Sequence, residues 1–263
     1  MKTRKAFTLV ELLVVISIIA VLMGILMPAL GRIRKQAQNI ACRAHLKSWG
    51  LFFKLYTDDH DGKFHPGQNT GGAGLWMNAL YPYHKDEPKL LRCPTANKLV
   101  IPGTEWGTLY SWQYEGSLGT FIGSYSTNNW IDNMTQDRDA TRRQEWFWRN
   151  TLNIKHNRNS IPIFGDSTWH DAWPQDSDTP APTPDGFGIG NQGTTNEMRH
   201  FAIDRHNGAI NMVFMDWSVR PVGLKELWTL KWHRNFNTSN EYTLAGASRA
   251  IDWPSWMQRY TDY

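Results

Sequence analysis

A long apolar run near the N-terminus constrains this chain more than any other feature of its sequence. From Leu9 to Leu30 the 22 residues are almost wholly apolar, and only Glu11, Ser17 and Pro28 interrupt them. A helix of this length measures about 33 Å, enough to cross a hydrocarbon core of about 30 Å. A secretory signal would have a shorter apolar core and a small-x-small cleavage site, whereas this run continues into a helical pattern. The sequence therefore predicts a membrane-spanning helix.

Glu11 is unusual because a carboxylate inside a membrane span costs about 2.5 to 3.5 kcal/mol near the bilayer centre. One interpretation places Glu11 at the level of the lipid headgroups, where the cost is lower. The other gives it a positive partner, since a newly made α-amine at Phe7 would lie about one helical turn away. Such a pair would neutralise both charges, either within one chain or between staggered neighbours in an assembly.

The run KAFTLVELLVVI, which begins at Lys5, resembles the class III signal of type IV prepilins and type II secretion pseudopilins. In that family a peptidase cuts before the Phe and methylates the new amine, and the Glu guides subunit docking. The resemblance therefore implies cleavage between Ala6 and Phe7, N-methylation of Phe7 and a docking role for Glu11. Pro28 falls where these proteins carry a helix-kinking proline. Ala6 replaces the usual Gly before the cut, so we expect slower cleavage.

The charges that flank the apolar run do not orient it, because three basic residues precede it and three follow it. The resemblance supplies the orientation. It implies a single-pass inner-membrane protein whose head lies in the periplasm, or on the cell surface after filament assembly. It also implies three partners, namely prepilin peptidase, like or related pilin subunits, and an inner-membrane assembly platform.

The helical pattern continues beyond the apolar run. Apolar residues recur at three- and four-residue steps, at Ile33, Ala37, Ile40, Ala44, Leu51 and Leu55. This pattern predicts one helix from about Thr8 to Tyr56, with that apolar face packed against a head and Gly62 as the stop. The predicted fold class is α+β and pilin-like, with a long N-terminal helix, membrane-spanning in its first half, packed on a β-rich C-terminal head. The predicted parts are a leader at 1–6, the helix at 7–57 with its transmembrane segment at about 9–30, and one globular head at 58–263.

Four strands are predicted in the head from short apolar runs, at residues 124–130, 161–164, 210–215 and 219–222. The last two flank a tight connection at Asp216-Trp217-Ser218 and should form a hairpin. The segment that starts at Arg205 resembles the H-x9-D-G signature of prepilin-like families expanded in planctomycete-type bacteria, with His206 and Asp216 as the signature pair. Trp217 stands where those families have Gly, so we expect a turn without positive φ at this position.

Two cysteines, Cys42 and Cys93, occur in the chain, and they do not form a CxxC motif. If the head is exported, a disulfide between them is the natural interpretation. Closing the loop of 51 residues between them would stabilise the fold by about 4 kcal/mol in the chain-entropy model. Two buried thiols are the alternative.

His206 and Asp216 lie near opposite ends of a predicted strand and should not touch each other. We favour structural roles, with His206 capping a loop and Asp216 bonding turn amides. A metal site that joins either residue to Asp166 or Asp204 is an alternative. A general base is disfavoured because no paired nucleophile or oxyanion element accompanies it. We therefore expect a protein that is not an enzyme.

The polar cluster Asp58, Asp59 and Asp61 before Gly62 faintly resembles a calcium loop, and the major pseudopilins bind calcium in their heads. Its spacing differs from D-x-[DN]-x-[DN]-G, and no Glu follows at the twelfth position. Calcium is the one cofactor that this sequence suggests. The chemistry of a helix C-terminus explains the cluster equally well.

The chain has 14 tryptophans, and all of them lie at residue 49 or beyond. Seven in the head have three open interpretations: core residues, anchors between subunits, or stacking platforms for sugars. These seven are Trp106, Trp112, Trp130, Trp146, Trp148, Trp169 and Trp173.

The net charge argues against a nucleic-acid partner. It is only +4, and it falls to about +1 without the basic residues of the leader. The apolar run and its resemblance predict a structural subunit, a pilin or pseudopilin, of a type IV pilus-like or type II secretion-like filament, processed by prepilin peptidase. The alternative is a filament-tip or membrane-tethered binding module whose Trp-rich head captures glycan or a secreted substrate.

Overall fold

The structure is a computed structural model of the whole chain. It describes residues 9–67, 75–85, 87–99, 107–152, 154–185, 196–246 and 253–263. The predicted leader and the predicted cleavage site between Ala6 and Phe7 lie outside these residues, and so does Trp106.

One long helix, α1, spans Leu9–Asp59 and contains Pro28. These bounds agree with the predicted helix. The helix ends at the polar cluster: the Gly62 amide donates a hydrogen bond of 2.7 Å to the Thr57 carbonyl. Asp61 and Gly62 both have positive φ, at 54° and 75°. A left-handed turn of this kind is a common helix stop, and Gly adopts it without steric cost.

The head packs on a different face of α1 from the one predicted. The buried side chains of α1 recur at steps of four and three residues, at Cys42, Leu46, Trp49, Phe53 and Tyr56. At 100° per residue, the predicted face lies about 180° away around the helix. Its larger side chains are exposed, with Ile33 at 60%, Ile40 at 53%, Leu51 at 53% and Leu55 at 42%. We call these four residues, with Ala37 and Ala44, the outer stripe.

The physical reason for this correction is that the second half of α1 has two apolar faces. The face against the head includes three aromatic rings, Trp49, Phe53 and Tyr56, whereas the outer stripe is aliphatic. Aromatic side chains bury the larger area, so the head gains more by covering them. The predicted apolar periodicity is present, but it does not mark the head-facing side.

The head contains two β-sheets, and the α+β fold class is confirmed. The smaller sheet has the order β1-β2-β3, with β1 at Lys98–Leu99, β2 at Tyr110–Gly116 and β3 at Gly119–Gly123. The larger sheet has the order β6-β4-β5-β7-β8. Its strands are β4 at Tyr125–Asn128, β5 at Pro162–Asp166, β6 at Asp171–Ala172, β7 at Ala209–Phe214 and β8 at Val219–Gly223. Two short helices, α2 at Trp76–Ala79 and α3 at Tyr81–His84, lie between α1 and the sheets in sequence.

The four predicted strands correspond to β4, β5, β7 and β8. The central strands β5 and β7 are antiparallel, and so are β7 and β8. Strands β5, β7 and β8 contact α1, so the larger sheet is the layer that packs on the helix. The β2–β3 hairpin was not predicted. Its first strand does carry a strand signal, because Tyr110, Trp112 and Tyr114 alternate with polar residues, but it lacks the continuous apolar run by which the other strands were predicted.

Tryptophans form much of the core. Trp49 of α1 lies 5.1 Å from Trp76 and 5.3 Å from Phe164, measured between ring centroids. Among the seven tryptophans considered above, four are buried, and these are Trp112, Trp130, Trp148 and Trp173. Trp146 and Trp169 are partly buried and pack against the same core. The core interpretation is therefore correct for the four buried residues.

The β7–β8 hairpin turns through a residue with positive φ, contrary to our expectation. Trp217 has φ 66°. Its amide donates to the Phe214 carbonyl at 2.8 Å, and the Phe214 amide donates to the Ser218 carbonyl at 2.9 Å. Asp216 Oδ1 accepts from the Ser218 amide at 3.0 Å and from its hydroxyl at 2.6 Å. These bonds offset the cost of the left-handed conformation, which is about 1–2 kcal/mol. The predicted role of Asp216 in bonding turn amides is confirmed.

Candidate functional site

The first candidate site is the surface of α1 that the head leaves uncovered. In the apolar segment between Leu9 and Leu30 every residue is exposed, and the head buries no part of this segment. In the part of the chain that the structure describes, α1 is the helix with the length and composition to cross a membrane. Glu11 and Pro28 both lie on this exposed segment.

The outer stripe extends this apolar surface along the half of α1 that carries the head. It runs from Ile33 to Leu55 on the side opposite the head. A groove of about 410 Å³ lies beside it, with Leu51 and Trp217 among its apolar walls and Lys47 and Lys54 among its polar ones. The side chain of Lys47 donates to the Trp217 carbonyl at 3.1 Å, which joins the hairpin turn to the helix. Exposed apolar side chains therefore occur along almost the whole of α1.

The second candidate site is a buried cluster of four side chains, Cys42, Cys93, Asp166 and His206. One donor atom from each lies within 4.8 Å of the others. Cys42 lies on the head-facing side of α1, and Cys93 follows the 3-10 helix Pro88–Leu91. Asp166 ends β5, and His206 precedes β7. We call these four residues the Cys-His-Asp cluster.

The contacts inside the Cys-His-Asp cluster are short. His206 Nε2 lies 3.4 Å from Cys93 Sγ and 3.2 Å from Asp166 Oδ2. Cys42 Sγ lies 3.5 Å from both carboxylate oxygens of Asp166. The Tyr125 hydroxyl donates to Cys42 Sγ at 3.4 Å. The cluster is therefore a contiguous set of polar groups inside the hydrophobic core.

Arg205 holds the Asp166 carboxylate in place. Its guanidinium is fully buried and lies 3.3 Å from Asp166 Oδ1. Its other N–H groups donate to the carbonyls of Thr108 at 2.8 Å, Ser124 at 2.7 Å and Ser167 at 3.0 Å. With these acceptors the guanidinium has a fixed orientation, so it presents a permanent positive charge to Asp166.

The pKa values of the cluster follow from burial and from these neighbours. Burial raises the pKa of the Cys42 thiol well above its ordinary value. For Cys93 burial acts in the same direction, but hydrogen bonds with Cys42 and His206 outweigh it and lower the thiol pKa to about 6. Burial disfavours the His206 imidazolium, but the Asp166 carboxylate outweighs it and raises the pKa of His206 to about 9. Burial disfavours the Asp166 carboxylate too, yet His206 and Arg205 hold its pKa well below its usual range.

The structure brings together some of the residues considered from sequence and separates others. His206 faces Asp166 and Cys93, and its predicted role in capping a loop stays a prediction. Asp216 lies exposed in the hairpin turn at the other end of β7, as expected. Asp204 accepts from the Gly208 amide at 2.6 Å and takes no part in the cluster.

Cys42 and Cys93 are free thiols in the structure, and the disulfide between them stays a prediction. Sequence reasoning did not connect them with His206 and Asp166, because up to 164 residues separate the four in the chain. Arg205 was also missed as a functional residue. Its place directly before His206, five residues before the predicted strand at 210–215, was the one available signal.

The acidic residues at the end of α1 have separate partners. Asp58 pairs with Lys54, Asp59 accepts from the Tyr83 hydroxyl at 2.7 Å, and the side chain of Asp61 is 90% exposed. This arrangement fits the helix-end interpretation. The calcium site at these residues stays a prediction.

Comparison with known proteins agrees with the resemblance of the N-terminal residues to a class III signal. Residues 1–27 match the family model described as "Prokaryotic N-terminal methylation motif". The chain is 41% identical over 61 residues to the Type IV wide pilus major component PilA4 of Thermus thermophilus. This match covers 23% of the chain and 47% of the relative, so the chain spans about half of the relative's length. No solved structure gives a significant match.

These matches support the class III signal that the sequence predicted, and the H-x9-D-G resemblance stays a prediction. The family model covers the N-terminal segment, which includes the first part of the exposed apolar helix. By this motif the first 27 residues are similar to the N-terminus of prepilins, and by the pilus relative part of the chain is similar to a type IV pilus component.

Proposed function

We propose that this protein is a structural subunit, a pilin or pseudopilin, of a type IV pilus-like or type II secretion-like filament. The observation that carries this proposal is the uncovered apolar surface of α1, which includes all sides of the segment between Leu9 and Leu30 and the outer stripe beyond it. Exposed apolar surface of this extent marks an interaction site or a membrane segment. Before assembly, lipid covers the first segment.

The outer stripe favours a filament over a protein that only sits in the membrane. It runs from Ile33 to Leu55, beyond a span that already fills the hydrocarbon core. Lipid therefore does not cover it, whereas the α1 helices of neighbouring subunits would. The head occupies the opposite face of α1, so it does not obstruct that packing.

Processing follows from the motif. Prepilin peptidase cleaves between Ala6 and Phe7 and methylates the amine of Phe7. The mature protein is then a single-pass inner-membrane protein with its head in the periplasm, and an assembly platform extracts it into the filament. In the filament, the Glu11 carboxylate meets the Phe7 amine of a neighbour. Burying either charge alone would be costly, so this pairing sets the stagger between subunits.

The rival proposal, a binding module with a Trp-rich head, has less support. A membrane-tethered module needs the apolar span but has no use for the outer stripe. In addition, Trp112, Trp130, Trp148 and Trp173 are buried, and a buried ring is not available to stack on a sugar. No catalytic role is part of the proposal.

Filament yield tests the proposal. In the host cell, Leu51→Ser should reduce the protein recovered in sheared filaments by at least tenfold while the membrane pool stays at the wild-type level. Arg43→Ser is the matched control, because Arg43 is also an exposed residue of α1 but lies outside the outer stripe. Wild-type filament yield for Leu51→Ser, measured by immunoblot and electron microscopy, would refute the role of the stripe.

A further inference from the structure

The Cys-His-Asp cluster has the dimensions of a four-ligand metal site. In a tetrahedral zinc site, bonds of about 2.0–2.3 Å place neighbouring ligand atoms about 3.3–3.8 Å apart. Cys93 Sγ and His206 Nε2 are 3.4 Å apart, and Cys42 Sγ and Asp166 Oδ2 are 3.5 Å apart. His206 Nε2 and Asp166 Oδ2 are 3.2 Å apart. No pair exceeds 4.8 Å, so an ion would draw the widest pair together by about 1 Å.

We propose that Cys42, Cys93, Asp166 and His206 bind a structural zinc ion. The donor set of two sulfurs, one imidazole nitrogen and one carboxylate oxygen suits zinc, whereas calcium and magnesium prefer sites made of oxygens alone. All four ligands come from the protein, and their side chains are buried. A site closed in this way is typical of structural zinc and leaves no open position for a substrate.

The surroundings of the cluster balance the charge of such a site. Two thiolates, one carboxylate and Zn²⁺ leave one net negative charge, which the buried guanidinium of Arg205 neutralises. Asp166 Oδ2 accepts from the Asn211 amide at 2.9 Å, and Cys42 Sγ accepts from the Tyr125 hydroxyl. Hydrogen bonds of this kind orient metal ligands in known sites. Arg205, Asn211 and Tyr125 are positioning residues for the ion.

Zinc binding here is a proton exchange without electron transfer. Either cysteine that still carries its thiol proton loses it to solvent on binding, and His206 Nε2 gives up its proton so that its lone pair faces the ion. The disulfide predicted from sequence uses the same two sulfurs, and its formation removes two electrons, which requires an external oxidant. One pair of sulfurs cannot do both in the same molecule. The zinc site and the disulfide are therefore exclusive states of Cys42 and Cys93.

The ion would join α1 to three separate parts of the head. Cys42 lies on α1 and Cys93 follows the 3-10 helix Pro88–Leu91. Asp166 ends β5, and His206 precedes β7. Binding free energy at such a site adds to folding free energy because the unfolded chain does not hold the four ligands together. Zinc would thus hold α1 against the head, at a junction where a filament subunit has to resist shear.

Metal content and thiol state of the full chain test the proposal together. The protein is purified in detergent without chelators, and metals are measured by inductively coupled plasma mass spectrometry. We expect about one zinc ion per chain, with both cysteines reduced and protected from alkylation until a chelator is added. A metal-free protein with a Cys42–Cys93 disulfide would overturn the proposal. Reduced thiols that are alkylated at the same rate with and without added Zn²⁺ would also overturn it.

Variants separate the zinc site from simple burial of two thiols. His206→Gln should lose at least tenfold in zinc affinity, whereas Asp204→Asn, at the neighbouring carboxylate outside the cluster, should keep wild-type zinc content. If His206→Gln does not fold, wild-type protein stripped of metal under reducing conditions and loaded with Co²⁺ supplies the readout. A thiolate-to-cobalt absorption band that Cys42→Ser weakens supports the site, and its absence from wild-type protein refutes it.

Discussion

Leu51 and Phe53 are two residues apart on α1 and point to opposite sides of it. Phe53 is fully buried against Phe164 and Phe64, whereas Leu51 is 53% exposed on the outer stripe. The helical turn of 100° per residue puts about 200° between them. One side of the helix therefore stabilises the head, and the other remains available for contacts between subunits.

This division predicts that the two positions respond differently to truncation. Phe53→Ala should lower the free energy of unfolding of the head by about 3–5 kcal/mol, because it leaves a cavity in the core. Leu51→Ala should change it by less than about 0.5 kcal/mol, as expected for an exposed position. Tryptophan fluorescence during urea unfolding measures both, since every tryptophan lies at residue 49 or beyond. Equal losses in the two variants would contradict the two-sided helix.

Glu11→Ala should impair entry of the subunit into filaments while the head melts at the wild-type temperature. The reason is that the substitution removes the charge proposed to meet the Phe7 amine, and Glu11 lies outside the head. Filament yield and thermal melting of the full chain in detergent are the two measurements. Ser17→Ala in the same exposed segment is the control, and its filament yield should remain normal. Wild-type filament yield for Glu11→Ala would show that the pairing is dispensable.

Asp216→Ala should destabilise the head by about 1 kcal/mol, because it removes the side-chain acceptor that closes the β7–β8 turn. Trp217 has to keep its positive φ without that support. Glu241→Ala is a suitable control, since Glu241 is an exposed acidic residue of the head. Urea unfolding measures both variants. No loss of stability in Asp216→Ala would mean that the backbone hydrogen bonds alone define the turn.

Glu197 should make the stability of the head depend on pH. Burial raises the pKa of Glu197 to about 7, and the carboxylates of Asp171 and Asp178 add to the effect while Arg142 opposes it. Because the pKa is higher in the folded state than in the unfolded state, the stabilising contribution is present below about pH 4.5 and is lost as the pH rises through 7.

Glu197→Gln removes this loss, since the amide stays neutral at every pH. The variant should therefore gain on the order of 2–3 kcal/mol relative to wild type between pH 5 and pH 8. Urea unfolding at the two pH values measures the difference. Glu145→Gln, at an exposed carboxylate, controls for the amide substitution itself. A relative gain at pH 5, with none at pH 8, would reverse the sign and refute the assignment.

Local features of the sequence were enough to predict α1 and four of the five strands of the larger sheet, all but β6. The length of the apolar run, the periodicity beyond it and the stop at Gly62 specify α1 because helix geometry depends on neighbouring residues. Strands β5 and β7 have dense apolar runs and were predicted for the same reason. The β2–β3 hairpin has no such run, and it forms because Trp112 and Phe121 pack into the shared core.

By itself, the sequence determined that this chain has a prepilin-like N-terminus and a long helix with more apolar surface than one head can cover. The tertiary structure alone decided which face of the helix the head covers, since two apolar faces compete and the aromatic one buries the larger area. It alone also decided that Cys42, Cys93, Asp166 and His206 meet. Chain order does not predict contacts across 164 residues; strand pairing and helix packing create them.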